Sequence, residues 1–231
     1  MLFDKFLPYE KKSWLPITVE GDGPLTASKF SGRPWFAAGE DWPKCANCGE
    51  PMQFFLQINL GDLPKLIRDE FGSGLLQFFY CINQEPHCET ECEAFFPFAE
   101  SELLRLVQPR GEEQADPSGA DAPFPARRIT DWQEVNDLPH PEEVIVELSD
   151  EEWEAFDEAG MPRPGDKLSG WPAWVQGVEY PDCPKCNKQM RLVLQLDSRG
   201  NLPFDFGDAG TGHITQCEEH KDVLAFGWAC S

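Results

Sequence analysis

The chain is poor in basic residues and in histidine. It has 19 lysines and arginines against 41 aspartates and glutamates, with four histidines, and its formal net charge is −22. The imbalance is greatest from Glu85 to Glu158, where 22 acidic residues face four arginines. Such a surface repels a phosphate backbone, so the composition argues against nucleic-acid binding and predicts a basic protein partner. The alternative, that these charges serve only to keep the chain in solution, stays open.

Long apolar runs are also missing. No segment approaches the ~18 consecutive apolar residues of a membrane-spanning helix, so no membrane association is predicted. Residues 1–12 lack the continuous apolar core of a secretory signal peptide. We therefore expect a cytoplasmic protein, where reducing conditions disfavour disulfides. The nine cysteines are also an odd number, so complete pairing within the chain is impossible. The oligomeric state is left open.

One cysteine motif occurs twice. Cys45-Ala-Asn-Cys48 is followed by an apolar segment ending in Leu56-Gln57, and Cys183-Pro-Lys-Cys186 is followed by one ending in Leu194-Gln195. The matched positions are 138 residues apart. This constant offset predicts a tandem duplication. The predicted divisions are a first repeat with an N-terminal lead-in at 1–107, an acidic insertion or linker with one short helix at 108–166, and a second repeat at 167–231.

The spacing of the cysteines is typical of metal ligands. A Cys-x-x-Cys turn supplies two of the four corners of a zinc tetrahedron, and later residues must supply the others. The predicted ligands are Cys45, Cys48, Cys81 and Cys88 in the first half, and Cys183, Cys186, Cys217 and His220 in the second. Cys92 is an alternative to Cys88. One or two structural zinc ions are therefore expected.

Two other interpretations of the cysteines stay open. A redox dithiol would need a thioredoxin-like βαβ setting, whereas an apolar strand is predicted after each pair. One of the two sites, alternatively, has decayed to ordinary buried cysteines.

The residue pattern predicts an α+β fold that is mainly β. Segments 53–60, 75–81 and 191–196 are apolar enough for buried strands, and Ser149-Asp-Glu-Glu152 is a capping box that predicts a short helix. We expect two strand-rich halves packed with pseudo-two-fold symmetry. Each half alone would have a thin core, which is where a structural metal contributes most.

A groove between the halves is a further hypothesis. Gln57 and Gln195 occupy matching positions in apolar strands, and Trp35 and Trp174 lie in the segments beside the cysteine motifs. These four residues could contact a ligand there. The alternative is that the tryptophans belong to the core and that each buried amide bonds to the backbone of the other half.

Motifs of catalysis are missing. The sequence has no phosphate-binding loop, no Gly-x-Ser-x-Gly elbow and no His-Glu-x-x-His helix. No catalytic residue is predicted, and binding is favoured over catalysis. The alternative that stays open is a metal-dependent hydrolase, or another enzyme, with a site between the two halves.

Several of these segments resemble known families. Gly32-Arg-Pro34, Trp42-Pro43 and Gly74-Leu-Leu-Gln-Phe-Phe-Tyr-Cys81 are similar to the YwqG-like family of bacterial proteins of unknown function. The cysteine frame resembles that of the programmed-cell-death-two protein family. The first resemblance implies a cytoplasmic protein with an immunity-type binding role, and the second implies zinc modules that chaperone a basic protein. The sequence thus predicts a zinc-binding module for protein interaction.

Overall fold

A mainly β architecture is present in the computed structural model, which describes residues 2–110, 124–144, 146–198 and 200–231 without the side chains of Leu2 and Asp157. The strands are β1 Lys11–Glu20, β2 Lys29–Phe30, β3 Gln53–Asn59, β4 Leu75–Tyr80, β5 Glu102–Val107, β6 Arg127–Asp137, β7 Lys167–Leu168, β8 Arg191–Asp197, β9 Thr211–Gln216 and β10 Leu224–Ala229. The helices are α1 Cys88–Glu91, α2 Pro141–Val144 and α3 Asp150–Glu158, with 3-10 turns at Leu2–Lys5, Leu7–Tyr9 and Leu60–Asp62. The predicted fold class is confirmed.

The ten strands form one sheet in which every paired neighbour is antiparallel. Their order is β10-β9-β8-β7-β1-β6-β2-β3-β4-β5. The two outer strands approach each other, so the sheet is nearly closed. Next to β5, Phe95 accepts a hydrogen bond at 3.1 Å from the backbone N–H of Trp228 in β10. The Trp228 indole N–H also donates to the Tyr80 hydroxyl at 3.1 Å.

The middle of the sheet is the long pair of β1 and β6. Their register runs from Lys11 opposite Asp137 to Glu20 opposite Arg127. β6 lies within 108–166, the segment predicted as an insertion, and that segment contains both α2 and α3 rather than one short helix. The boundaries of the predicted domains stay a prediction, but the acidic segment contributes a strand to the centre of the sheet. The stretch 111–123 lies outside the described residues.

The two halves pair their strands alike. Lys29 lies opposite Gln57 between β2 and β3, and Lys167 lies opposite Gln195 between β7 and β8. Both positions differ by the same 138 residues as the cysteine motifs. The register is also interrupted at matching places, between residues 54 and 56 and between 192 and 194. The origin of the halves by duplication stays a prediction, which this agreement of register supports.

The main core lies between the halves and is largely aromatic. Phe55 of β3 is fully buried and lies 5.0 Å, between ring centroids, from Phe204 of the second half. Phe78 of β4 lies 4.5 Å from Phe226 of β10. β3 and β4 are buried on both faces, which explains their continuous apolar sequences. One face of β3 packs into this core, while Phe54 and Met52 pack beneath the first cysteine cluster.

The helix α3 begins at the predicted capping box. The Ser149 N–H donates to the Glu152 carboxylate at 3.0 Å, and the Glu152 N–H donates to the Ser149 hydroxyl at 3.3 Å. Both bonds satisfy N–H groups that have no partner within the helix. The helix packs on the chain start through Phe156, whose ring centroid lies 5.1 Å from that of Phe6.

Candidate metal centres

The first cysteine pair is held in a tight hairpin before β3. Lys44 and Pro51 face each other across the hairpin, and the Gly49 N–H donates to the Cys45 carbonyl at 2.9 Å. Gly49 has φ of 76°, a conformation that glycine adopts without steric cost. This turn directs the thiols of Cys45 and Cys48 to the same side.

Two further cysteines complete the first cluster. Cys81 directly follows β4, and Cys88 is the first residue of α1. The Sγ atoms of Cys45 and Cys88 are 3.9 Å apart, and those of Cys48 and Cys81 are 3.7 Å apart. All four Sγ atoms lie within 4.8 Å of one another. Cys92 directly follows the end of α1 and is outside this group, so the structure brings Cys88 together with the other three cysteines and not the alternative Cys92.

The second cluster has the same plan with one imidazole. The Asn187 N–H closes the hairpin on the Cys183 carbonyl at 2.8 Å, with φ of 55° in place of the glycine. Cys217 follows β9, and its Sγ atom lies 3.6 Å from that of Cys186. The Nδ1 atom of His220 lies 3.8 Å from Cys183 Sγ and 3.7 Å from Cys217 Sγ. The four predicted residues of the second half are therefore also assembled.

These distances fit a tetrahedral ion. Zinc–sulfur bonds of ~2.3 Å at tetrahedral angles place two sulfurs about 3.8 Å apart, and a sulfur and a nitrogen about 3.5 Å apart. The observed separations of 3.6–3.9 Å agree with both values. They are far longer than the ~2.05 Å of a disulfide. Each cluster could therefore hold one metal ion, and donor sets rich in sulfur favour zinc over hard cations such as magnesium.

In each cluster, local hydrogen bonds lower the pKa of one thiol. Burial raises the pKa of Cys48, but the backbone of Glu50 and the neighbouring thiol of Cys88 outweigh it and lower the pKa to about 7. Burial also raises the pKa of Cys217. Hydrogen bonds to the backbone and the imidazole of His220 outweigh this effect and lower the pKa to about 6. A thiolate is the form that binds metal. In contrast, burial raises the pKa of Cys88 to about 11.

The predicted pairing of the two glutamines with opposite halves is wrong. Gln57 accepts from the Trp35 N–H at 2.9 Å and donates to the Leu25 and Ala27 carbonyls, all in its own half. Gln195 likewise accepts from the Ala173 N–H and donates to the Gly165 carbonyl. Both amides bond to backbone, as expected, but they anchor the segment that precedes each cysteine motif within the same half.

The two tryptophans of the hypothesised groove have different settings. Trp35 is 4% exposed and its backbone is held by Gln57. Trp174 is half-buried and lines a cavity of about 240 Å³. Its indole N–H donates to the Glu143 carboxylate at 2.6 Å. Contact of these residues with a ligand stays a prediction.

The burial of two lysines was not predicted from the sequence. Lys167 has a fully buried side chain and lies 2.8 Å from the equally buried carboxylate of Asp137. Lys29, at the matching position of the first half, lies 3.5 Å from Asp22 and donates to the Arg33 carbonyl at 2.9 Å. Burial lowers the pKa of both lysines, and the carboxylates oppose that shift. Their 138-residue offset was the only signal that could have indicated them.

Within the described ranges, no helix combines the length and the apolar character needed to cross a bilayer.

Comparison with known proteins gives a family but no activity. Residues 28–220 match the family described as "Domain of unknown function (DUF1963)". YwqG-like proteins carry this domain, which agrees with the resemblance found in the sequence. Over 72 residues the chain is 29% identical to the "Uncharacterized protein YpfL" of Salmonella typhimurium. That alignment covers 31% of this chain and 15% of YpfL, so the chain spans a small part of that relative. The resemblance to the programmed-cell-death-two family stays a prediction.

Proposed function

We propose that this chain, which belongs to the DUF1963 family, is a zinc-stabilised cytoplasmic module that binds a basic protein partner. The observation that carries the proposal is the presence of two four-donor clusters, Cys45, Cys48, Cys81 and Cys88 in one and Cys183, Cys186, Cys217 and His220 in the other. In each cluster the protein supplies every corner of the tetrahedron. A site of this kind leaves no position for water or substrate and is structural rather than catalytic.

The position of the clusters supports a structural role. Each one ties a hairpin that precedes a buried strand to the end of the next strand, β4 or β9. Structural zinc contributes on the order of 10–16 kcal/mol of apparent binding free energy, which is folding free energy when the site forms only in the folded chain. Cys45 packs with Met52, Phe54 and Phe79, and Cys183 packs with Met190, Val223 and Ala225. A metal ion would therefore add to an apolar contact between each hairpin and the sheet.

The charge distribution supports binding to a basic partner. Five glutamates on and beside α2 and α3 are exposed, namely Glu142, Glu147, Glu151, Glu154 and Glu158. A surface of one sign accelerates encounter with an oppositely charged protein, and the gain fades as salt screens it. An immunity-type or chaperone-type role would use such a surface. By analogy, the YwqG-like and programmed-cell-death-two resemblances point to those two roles.

Metal content is the first test. Elemental analysis of the purified full chain should find two zinc ions per chain. Their removal by a strong chelator under reducing conditions should lower the melting temperature by more than ~10 °C, since each kcal/mol moves it about 2–4 °C in a chain of this size. Metal-free, reduced protein that melts cooperatively at the parent's temperature would refute the structural role.

Partner capture is the second test. The full chain is used to retain proteins from a native extract at low and at physiological salt. Replacing Glu142, Glu147, Glu154 and Glu158 together by glutamine should slow capture of a basic partner at low salt and leave the melting temperature nearly unchanged. Glu143 and Glu152 are kept, because they hold Trp174 and Lys5.

A control variant removes the same number of charges elsewhere. It carries glutamine or asparagine at the exposed positions Glu10, Glu20, Asp62 and Asp69. Equal capture by both variants and the parent at low salt would leave the acidic face with a role in solubility alone.

The hydrolase alternative predicts an exchangeable water on one zinc and a ligand variant that loses activity while it stays folded.

A further inference from the structure

A small cavity lies in the second half, and none of the eight cluster residues lines it. It has a volume of about 240 Å³. Its floor is formed by β9 and β10, and the segment from Phe95 to Pro97 of the first half covers one side. The aromatic walls are Trp174, Tyr180 and Trp228. Phe96 and Val175 at its rim are 57% and 38% exposed, so the cavity opens on an apolar surface.

Two residues that line this cavity carry a buried polar atom without a partner among the described residues. The Nε2 atom of His213 and the Oγ1 atom of Thr215 have no hydrogen-bond partner among the described residues. Both residues line the cavity, and their exposed fractions are 5% and 2%. Leaving a buried polar atom unpaired is costly, so such atoms usually have a partner in the functional state of a protein. A ligand that donates hydrogen bonds could pair with both atoms, because a hydroxyl oxygen and one nitrogen of a neutral imidazole accept them.

The first half shows what occupies the corresponding place. In the first half, Gln77 of β4 pairs with Gln57 of β3 on one side and with Arg105 of β5 on the other. In the second half, His213 of β9 pairs with Gln195 of β8 on one side and with Gly227 of β10 on the other. Position 105 therefore corresponds to position 227. The Arg105 guanidinium donates to the Gln77 side chain at 2.9 Å and also bonds to Glu40. It lies 5.3 Å and 5.4 Å from the ring centroids of Phe36 and Phe79.

Two small residues open the cavity in the second half. Gly227 stands where the first half has Arg105, and Thr215 stands where it has Phe79. A Cβ atom at Gly227 would lie 3.3 Å from the Phe95 carbonyl, so the close approach of that segment favours glycine there. The aromatic wall is retained, because Trp174 and His213 lie 4.5 Å apart between ring centroids. Of the groups around Arg105, the second half keeps an aromatic ring in place of Phe36, namely Trp174. It has His213 in place of Gln77, Thr215 in place of Phe79 and Val178 in place of Glu40.

We propose that this cavity binds a guanidinium group, presented by an arginine side chain of the basic partner, and this assignment rests on the proposed function. The imidazole Nε2 of His213 and the hydroxyl of Thr215 accept hydrogen bonds from its N–H groups. The faces of Trp174 and Tyr180 stabilise the planar cation. Glu179 is exposed at the cavity wall and adds a carboxylate near the entrance.

The charge state of His213 is compatible with this role. Burial, and to a smaller extent the Lys167 cation, lower the pKa of His213 to about 3. The imidazole is therefore neutral at physiological pH, and one ring nitrogen is free to accept.

The test is a titration of the purified, metal-replete full chain, followed by calorimetry and by the NMR signals of the tryptophan indole N–H groups. The probe is N-acetyl-L-arginine amide. N-acetyl-L-citrulline amide has the same shape without charge, and N-acetyl-L-lysine amide has the charge without the planar group. We expect saturable binding of the arginine probe with a Kd on the order of 1 mM. The citrulline and lysine probes should bind at least ten-fold more weakly.

Thr215→Val is the variant that tests the site. It removes one unpaired oxygen and keeps the volume, so the melting temperature should stay equal or rise while arginine binding weakens about ten-fold. Thr211→Val makes the same change on the same strand outside the cavity walls and should bind like the parent. Thr215→Val binding as tightly as the parent, or equal binding of the arginine and citrulline probes, would overturn the assignment.

Two further results separate this inference from the proposed function. Free L-arginine binding ten-fold tighter than the blocked probe would indicate a metabolite site and overturn the assignment to a partner's side chain. No arginine binding, together with salt-dependent capture of a basic protein, would refute the cavity assignment and leave the proposed function standing. Saturable arginine binding without any such capture would keep the cavity as a guanidinium site, but it would refute both the basic partner of the proposed function and the assignment of the guanidinium to that partner.

Discussion

At the scale of single residues, Cys186 and Cys92 are both half-buried thiols, but only Cys186 belongs to a cluster. Cys186→Ser replaces one donor of the proposed zinc site by a weak ligand. We expect the zinc content to fall from two ions per chain to one and the melting temperature to fall by ~10 °C or more. Elemental analysis and calorimetry of the same preparation measure both quantities.

Cys92→Ser is the matched control. It removes a thiol of similar exposure next to the first cluster, and it should keep two zinc ions and the parent's melting temperature. Loss of zinc in Cys92→Ser, with full zinc in a Cys88→Ser variant, would reverse the ligand assignment of the first half.

His213 gives a prediction for the pH dependence of stability. Its folded pKa of about 3 is below the ordinary value of 6.5, so between these values the unfolded chain binds a proton that the folded chain does not. Stability must therefore fall as pH falls through this window. His213→Gln lacks this titration. Between pH 7 and pH 5, the parent should lose about 2 kcal/mol more unfolding free energy than the variant.

Urea unfolding of metal-replete protein at several pH values measures this difference. Carboxylates and zinc ligands also titrate in the window, but they are the same in both proteins and cancel in the comparison. Parallel pH curves for the parent and His213→Gln would show that His213 has the same pKa in the folded and the unfolded chain, and would contradict the lowered pKa.

The residues that could be predicted from the sequence are those with a local signal. The spacing of Cys183, Cys186, Cys217 and His220 was sufficient to predict the second cluster, because ligand geometry constrains spacing. The pair of Lys167 and Asp137 gave no such signal. A buried lysine is stable only with its carboxylate in place, and that carboxylate is supplied by a strand 30 residues away in the chain.

At the scale of elements, the capping box of α3 gives a prediction. Ser149→Ala removes the hydroxyl that accepts from the Glu152 N–H. We expect a loss of about 1 kcal/mol in the free energy of unfolding, within a range of about 0.5–2 kcal/mol. Ser149→Asp keeps a capping oxygen and should match the parent in chemical unfolding. If Ser149→Asp loses as much as Ser149→Ala, the hydroxyl contributes through another contact.

The buried strands were predictable and the central pair was not. β3, β4 and β8 are mainly apolar, with one or more buried amides among the apolar residues, because both of their faces are covered. β1 and β6 are mostly exposed or half-buried, and β6 has the polar sequence RRITDWQEVND. Such a strand is stabilised by its backbone pairing with β1 rather than by burial. Pairing partners 107 to 126 residues apart leave no pattern in a single sequence.

At the scale of the whole molecule, the two halves share one sheet. The sequence predicts two repeats joined by an insertion, since each cysteine motif has its own strands. The structure joins the halves through β1 and β6 and through the aromatic core around Phe55 and Phe78. This connection depends on long-range contacts, which is why the strand-rich class was predictable and the continuity of the sheet was not.

The continuous sheet predicts how the protein unfolds. If each half folded by itself, Cys186→Ser would melt the second half and leave the first half intact. In the structure, removing the second half would expose Phe55 and Phe78, whose rings pack on Phe204 and Phe226. It would also leave β1 without its partner β7. We therefore expect a single transition in calorimetry for the parent and for Cys186→Ser, with the variant's peak at a lower temperature. The van't Hoff and calorimetric enthalpies should agree in both. Two resolved peaks in Cys186→Ser, the upper one at the parent's temperature, would mean that the first half is an independent unit and that the interface between the halves contributes little to its stability.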